Sequence, residues 1–172
     1  MGCCINYFIG FENLDALDRA LAAVVEHAAT LGFDVRRRSF TEQRRTVTIQ
    51  PHEHCETLVF DFMTVEHWAQ SGEEPFCGRE IMQTNWDDCT TWTCTFLRPH
   101  LWYCAGFVKT EYAPKSVHAK VCELLRGMAP RAALFCVRDE AGFYETRSRD
   151  ALEEGHGYLA GRRVDDLPRR EA

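Results

Sequence analysis

The sequence lacks the short signatures that would name a chemistry at once. No Walker-type phosphate loop, G-x-G-x-x-G, H-E-x-x-H or G-x-S-x-G occurs in its 172 residues. That removes the readily recognised nucleotide-binding, zinc-protease and serine-hydrolase mechanisms. No apolar run approaches the ~18 residues that a membrane span needs. The opening Met1-Gly2-Cys3-Cys4-Ile5-Asn6 has no basic stretch of the kind that begins a secretory signal. Asn6 stands where a myristoylation signal wants Ser or Thr. A basic excess is also missing. Lys and Arg total 20 against 26 Asp and Glu, giving a net charge of -6, which argues against a dedicated nucleic-acid binder. Lysine (3) and isoleucine (4) are scarce beside 17 arginines, a bias that fits a GC-rich bacterial genome.

What is present is ordinary globular composition, with 45% apolar and 27% charged residues. Cysteine is abundant at nine, an odd number with no Cys-x-x-Cys pair. Without a secretory signal, this cysteine-rich pattern points to reduced thiols in the cytoplasm, several of them serving as small hydrophobes in strands.

The chain reads as one α+β domain over 1–154, followed by a charged tail at 155–172. Residues 3–11 are aromatic and β-branched, as a buried strand should be. Asn13 caps a helix whose apolar residues Leu14, Leu17, Leu21, Val24, Val25, Ala28 and Leu31 recur at helical spacing, and Gly32 closes it. Strands follow at 33–40, 46–50 and about 57–63. The stretch 64–91 loses all periodicity and reads as a long irregular loop, with a short helix near Arg79–Gln83. A strand resumes around Trp92, Cys94 and Phe96, and another spans 101–109. Pro114 opens a second helix with an apolar face of Val117, Val121, Leu124, Leu125 and Met128. Ala132–Arg138 and Phe143–Arg147 suggest a closing hairpin across Asp139-Glu140-Ala141-Gly142. The order predicts a mostly antiparallel sheet with two principal helices on one face, and a βαββ pseudo-repeat.

Residues 107–150 carry a resemblance. Phe107-Val108-Lys109-Thr110-Glu111-Tyr112-Ala113, His118, Leu124-Leu125 and Asp139-Glu140-Ala141-Gly142-Phe143-Tyr144-Glu145-Thr146-Arg147, with Asp150, are similar to segments of a family of uncharacterised bacterial proteins. Those proteins carry F-C-K-T-Q-Y-A and D-E-G-G-[FY]-[WY]-E-x-R-D. Val108, Glu111 and Ala141 depart from the pattern. The resemblance implies no activity.

Four sets of residues are candidates for chemistry. His52, His54 and Cys55 are the weak metal candidates, with His67 or Cys77 to complete a zinc shell; the plainer alternative is a polar linker, and no metal or cofactor is expected. Lys109, Tyr112, His118, Glu140, Tyr144 and Glu145 combine cation, aromatic and carboxylate groups that would bind a polar ligand if they shared a pocket rim. Arg36-Arg37-Arg38 and Arg44-Arg45 bracket the first hairpin; they suit phosphate binding, or else a charged edge strand that resists aberrant pairing. Trp68, Glu73, Glu74, Trp86, Asp87 and Asp88 make the irregular loop acidic and aromatic, as a partner-binding surface would be. No cysteine is singled out as a nucleophile. Together these observations predict a non-enzymatic cytoplasmic protein that binds another protein, basic in character, in an immunity or inhibitor-like role. The alternative is a small-molecule pocket or an unrecognised enzyme using Lys109, Tyr112, His118 and Glu145.

Overall fold

The computed structural model describes residues 3–64, 66–67 and 101–160. Among the described residues six strands form one sheet: β1 (Cys4–Phe11), β2 (Asp34–Phe40), β3 (Arg44–Gln50), β4 (Leu58–Thr64), β5 (Trp102–Lys109) and β6 (Leu134–Asp139). Their order is β2-β3-β4-β5-β1-β6, and every neighbouring pair is antiparallel. The expected α+β class with an antiparallel sheet and two principal helices is what the fold shows.

Helix α1 (Leu14–Thr30) begins where the Asn13 side chain accepts the Ala16 N–H. It ends as glycine at C′ allows: Gly32 takes a φ of +79°, and the Gly32 and Phe33 N–H groups bond to the Ala29 and Ala28 carbonyls. Helix α2 (Lys115–Met128) starts after Pro114 and buries Val117, His118, Val121, Cys122, Leu124, Leu125 and Met128. Both helices cover one sheet face. There Ile5, Tyr7, Ile9 and Phe11 of β1 alternate inward and meet Leu17, Leu21, Val121 and Leu125 in the main core. Phe8, Tyr103 and Leu134 make a small separate cluster on the opposite face.

Gly106 holds a special place in β5. A Cβ there would lie 2.4 Å from the Tyr7 hydroxyl oxygen. The Tyr7 ring therefore lies across the glycine, and its hydroxyl donates to the Val59 carbonyl at 2.7 Å. Only glycine lets the ring come so close.

The expected closing hairpin is corrected. Residues Phe143–Thr146 form a short helical turn, α3, and Arg149–Ala160 form a further helix, α4. The Asp139 carboxylate accepts the Ala141 and Tyr144 N–H groups, and Gly142 turns at φ +68°. These bonds wind the chain instead of extending it. The second half therefore runs strand–helix–strand–helix, and the βαββ pseudo-repeat does not hold there. The boundary expected at 154/155 falls inside α4, which Leu152 anchors by packing with Cys3 and Ala141. The short helix at 79–83, the strand at 92–96 and most of the 64–91 loop lie outside the described residues.

Candidate functional site

The N-terminal end of β1 meets the C-terminal ends of β5 and β6, because both neighbours run antiparallel to it. Cys3 precedes β1, Thr110 follows β5 and Asp139 ends β6. Helix α2 lies across this end and directs His118 into it. All four residues are buried, and the His118 and Asp139 side chains are fully inaccessible.

His118 is the hub. Its Nδ1 lies 2.7 Å from Thr110 Oγ1 and 3.5 Å from Cys3 Sγ, and its Nε2 lies 3.0 Å from Asp139 Oδ2. Thr110 Oγ1 also lies 3.3 Å from the Cys3 carbonyl oxygen. Asp139 Oδ1 accepts the Ala141 N–H at 2.8 Å, and Oδ2 accepts the Tyr144 N–H at 2.9 Å. Cys122, one turn beyond His118 on α2, points its thiol at Asp139 Oδ2 from 3.8 Å.

The electrostatics separate the carboxylate from the thiols. Burial alone would push the Asp139 pKa up, but the His118 hydrogen bond and charge, with the Tyr144 and Ala141 N–H groups, hold it below the ordinary value. Burial pushes the Cys3 thiol up to about 12, and nearby Asp139, Glu140 and Glu111 add to the rise against the opposing Thr110 hydrogen bond. Cys122 is pushed up by burial and by Asp139. A nucleophilic cysteine needs its pKa lowered, so the Cys3–His118–Asp139 line has the partners of a catalytic triad without an activated thiol.

The six residues expected on one pocket rim cluster at this end of the sheet but do not share a rim. His118 is sealed inside, whereas Tyr112 is 60% exposed. Glu145 Oε1 accepts the Asp139 N–H, and Glu140 Oε2 accepts the Cys4 N–H. The Tyr144 ring lies under the Arg126 guanidinium, 4.6 Å away, and Arg126 also donates to the Phe143 and Tyr144 carbonyls. Lys109 is exposed, its ammonium 6.0 Å from the centre of the Phe107 ring.

The His52, His54 and Cys55 set is not gathered around a common point. Cys55 is buried with its thiol donating to the Lys109 carbonyl, whereas His54 is exposed. Gln50 fastens this loop through the His52 and Cys55 carbonyls. Burial pushes the Cys55 thiol up to about 12. Among the described residues, the group of three or more metal-binding side chains within mutual reach is Cys3, His118 and Asp139. His118 was visible in the sequence as a histidine at the border of an apolar helix face. Cys3, Thr110 and Asp139 were not, because three separate strand ends supply them. The spacing His118-x-x-x-Cys122, which sets both side chains on one face of a helix, was the available clue.

The arginine-rich hairpin divides into two. Arg44 forks onto Asp61, with Nε–Oδ1 2.8 Å and Nη2–Oδ2 2.5 Å. Arg45 is buried, pairs with Asp18 at 2.9 Å and lies between the Phe40 and Trp102 rings. Arg36, Arg37 and Arg38 are exposed on the edge strand β2, where Arg36 meets Asp34 at 3.4 Å. The partner-surface residues Trp68, Glu73, Glu74, Trp86, Asp87 and Asp88 lie outside the described residues, as does Cys77. His67 is described, and its N–H bonds to Thr64 Oγ1.

Among the described residues, no helix is long and apolar enough to cross a membrane. Set against family models, curated proteins and solved structures, the chain finds no match in any of the three.

Proposed function

We propose that this chain is a cytoplasmic, non-enzymatic binding protein, and that it engages a basic protein partner through the segment between β4 and β5. One observation carries this reading. The last residues of β4 and the first of β5 are paired, Met63 with Tyr103 and Thr64 with Trp102. The two strands that 65–101 connects are therefore paired with each other at one end of the sheet. Trp102 in that pairing is buried against the Arg45 guanidinium, and Asp18 holds Arg45 in turn. A rigid scaffold presenting one long connection is the usual way a fold carries recognition. That connection holds every residue of the acidic, tryptophan-bearing set. Aromatic anchors supply affinity, and like charges steer a partner of opposite sign.

The test uses the full chain and a variant carrying Trp68→Ala, Trp86→Ala, Asp87→Asn and Asp88→Asn. Partners recovered from the native host with the wild-type chain should be lost with this variant while the circular dichroism spectrum stays unchanged. A second variant, Lys109→Ala with Tyr112→Ala and Glu145→Gln, should keep them. Loss of partners in the second variant alone would transfer the interface to the closed end of the sheet and overturn the assignment.

A further inference from the structure

The closed end of the sheet holds more ligand chemistry than a structural hydrogen-bond network needs. Cys3, His118 and Asp139 each offer a metal-binding atom, all within 4.8 Å of one another. Cys122 adds a second thiol 3.8 Å from Asp139 Oδ2. The four residues come from the position just before β1, two successive turns of α2 and the end of β6, and all are buried.

Zinc bonds of about 2.0–2.3 Å in tetrahedral geometry place neighbouring ligand atoms roughly 3.3–3.8 Å apart. The Cys122–Asp139 separation of 3.8 Å falls in that range. Cys3 Sγ stands 3.5 Å from the other ring nitrogen, Nδ1, and would shift toward Nε2 to join the ion. The His118–Asp139 separation of 3.0 Å is that of a hydrogen bond and would open slightly around an ion.

Asp139 receives two backbone N–H groups and is held as a carboxylate. On the far side of the imidazole, Thr110 Oγ1 sits between the Cys3 carbonyl and His118 Nδ1. The hydroxyl has one proton. When that proton goes to the carbonyl, Nδ1–H donates to Thr110 and the Nε2 lone pair faces the Asp139 carboxylate; when it goes to Nδ1, Nε2–H donates to Asp139. A cation between Nε2 and Asp139 would select the first arrangement.

We propose that Cys3, His118 through Nε2, Cys122 and Asp139 form a closed structural zinc site. Thiolate, imidazole and carboxylate donors suit zinc, and four protein ligands leave no open position for catalysis. Thr110 takes the outer role, accepting Nδ1–H and fixing the ring as partners of metal-bound histidines do. Loading releases the Cys3 and Cys122 thiol protons to solvent.

The experiment is a cobalt(II) titration of the full-length chain stripped of metal, followed by displacement with zinc and a count of bound zinc. The expected result is a thiolate-to-cobalt charge-transfer band in the near ultraviolet, the visible bands of a tetrahedral ion, and one zinc per chain. Cys3→Ala and Cys122→Ala should each weaken zinc binding at least tenfold and remove part of the charge-transfer band. Cys136→Ala, on the far side of the sheet, should leave both unchanged. A wild-type chain that gives no cobalt band and retains no zinc overturns the site, and the four side chains are then a hydrogen-bond network alone. Binding that survives both thiol substitutions but is lost in His54→Ala overturns it equally.

Discussion

The two ends of the sheet are closed by opposite means. At the end where β1 begins, His118, Asp139, Thr110 and Cys3 are sealed from solvent. At the end where β4 stops and β5 starts, Arg45 is buried, but its partner Asp18 keeps 39% of its side-chain surface exposed. The first arrangement has no water to replace a lost partner. The second has water at hand for one of its two charges. Burial, rather than the number of bonds, should decide how much each end contributes to stability.

Substitutions would break or sharpen this contrast. The largest effect is expected from His118→Ala, which takes the imidazole from the buried Asp139 carboxylate, leaves it only backbone N–H partners and opens a cavity. A cost of roughly 3–5 kcal/mol should appear as a fall in Tm of about 10 °C or more by calorimetry. Next comes Gly106→Ala. The new methyl would displace the Tyr7 ring and break its bond to Val59, costing about 1–3 kcal/mol in denaturant unfolding. Combined with Tyr7→Phe, the cost should be less than the sum, since both changes remove one bond. Arg45→Met keeps the aliphatic packing but loses the Asp18 pair and the two ring contacts, for about 1–2 kcal/mol that shrinks in high salt. A cost equal to that of His118→Ala would void the contrast between the ends.

The smallest effect at neutral pH is expected from Tyr103→Phe. Burial raises the Tyr103 phenol from 10 to about 12. A raised folded-state pKa favours folding by the protonated form. That contribution is complete below pH 10 and lost as pH climbs toward 12. The wild-type chain should therefore lose stability faster than Tyr103→Phe across that window, as read by urea unfolding at stepped pH.

The elements with local cause were legible in the sequence. Asn13 and Gly32 bound α1 because a cap and a left-handed glycine act within a few residues. The apolar face of α2 was equally visible. The closing segment was misread for a physical reason. Phe143 to Arg147 alternates like a strand, but the Asp139 carboxylate gathers the Ala141 and Tyr144 amides and outweighs that pattern. Asp139 was recognised as turn chemistry, which it is. Its second role, facing His118 across 21 positions of chain, has no local signature. Cys3 and Thr110 stayed hidden likewise, because their meeting depends on the strand order.

The Tyr7 phenol has one more consequence. Among the described residues, β4 and β5 share two ladder pairs, Met63–Tyr103 and Thr64–Trp102, whereas β1 and β5 share eight. The sheet thus consists of two half-sheets, β2-β3-β4 and β5-β1-β6, joined along a lightly stitched seam. Tyr7 crosses that seam from the second half to the first, and Cys55 Sγ and Glu56 Oε2 hold Lys109 at the far end of β5. Partial opening should begin there, with each half-sheet exchanging its amides as a separate cooperative unit. The strands joined by 65–101 lie one in each half, so tension on that connection would pull directly on the seam between them.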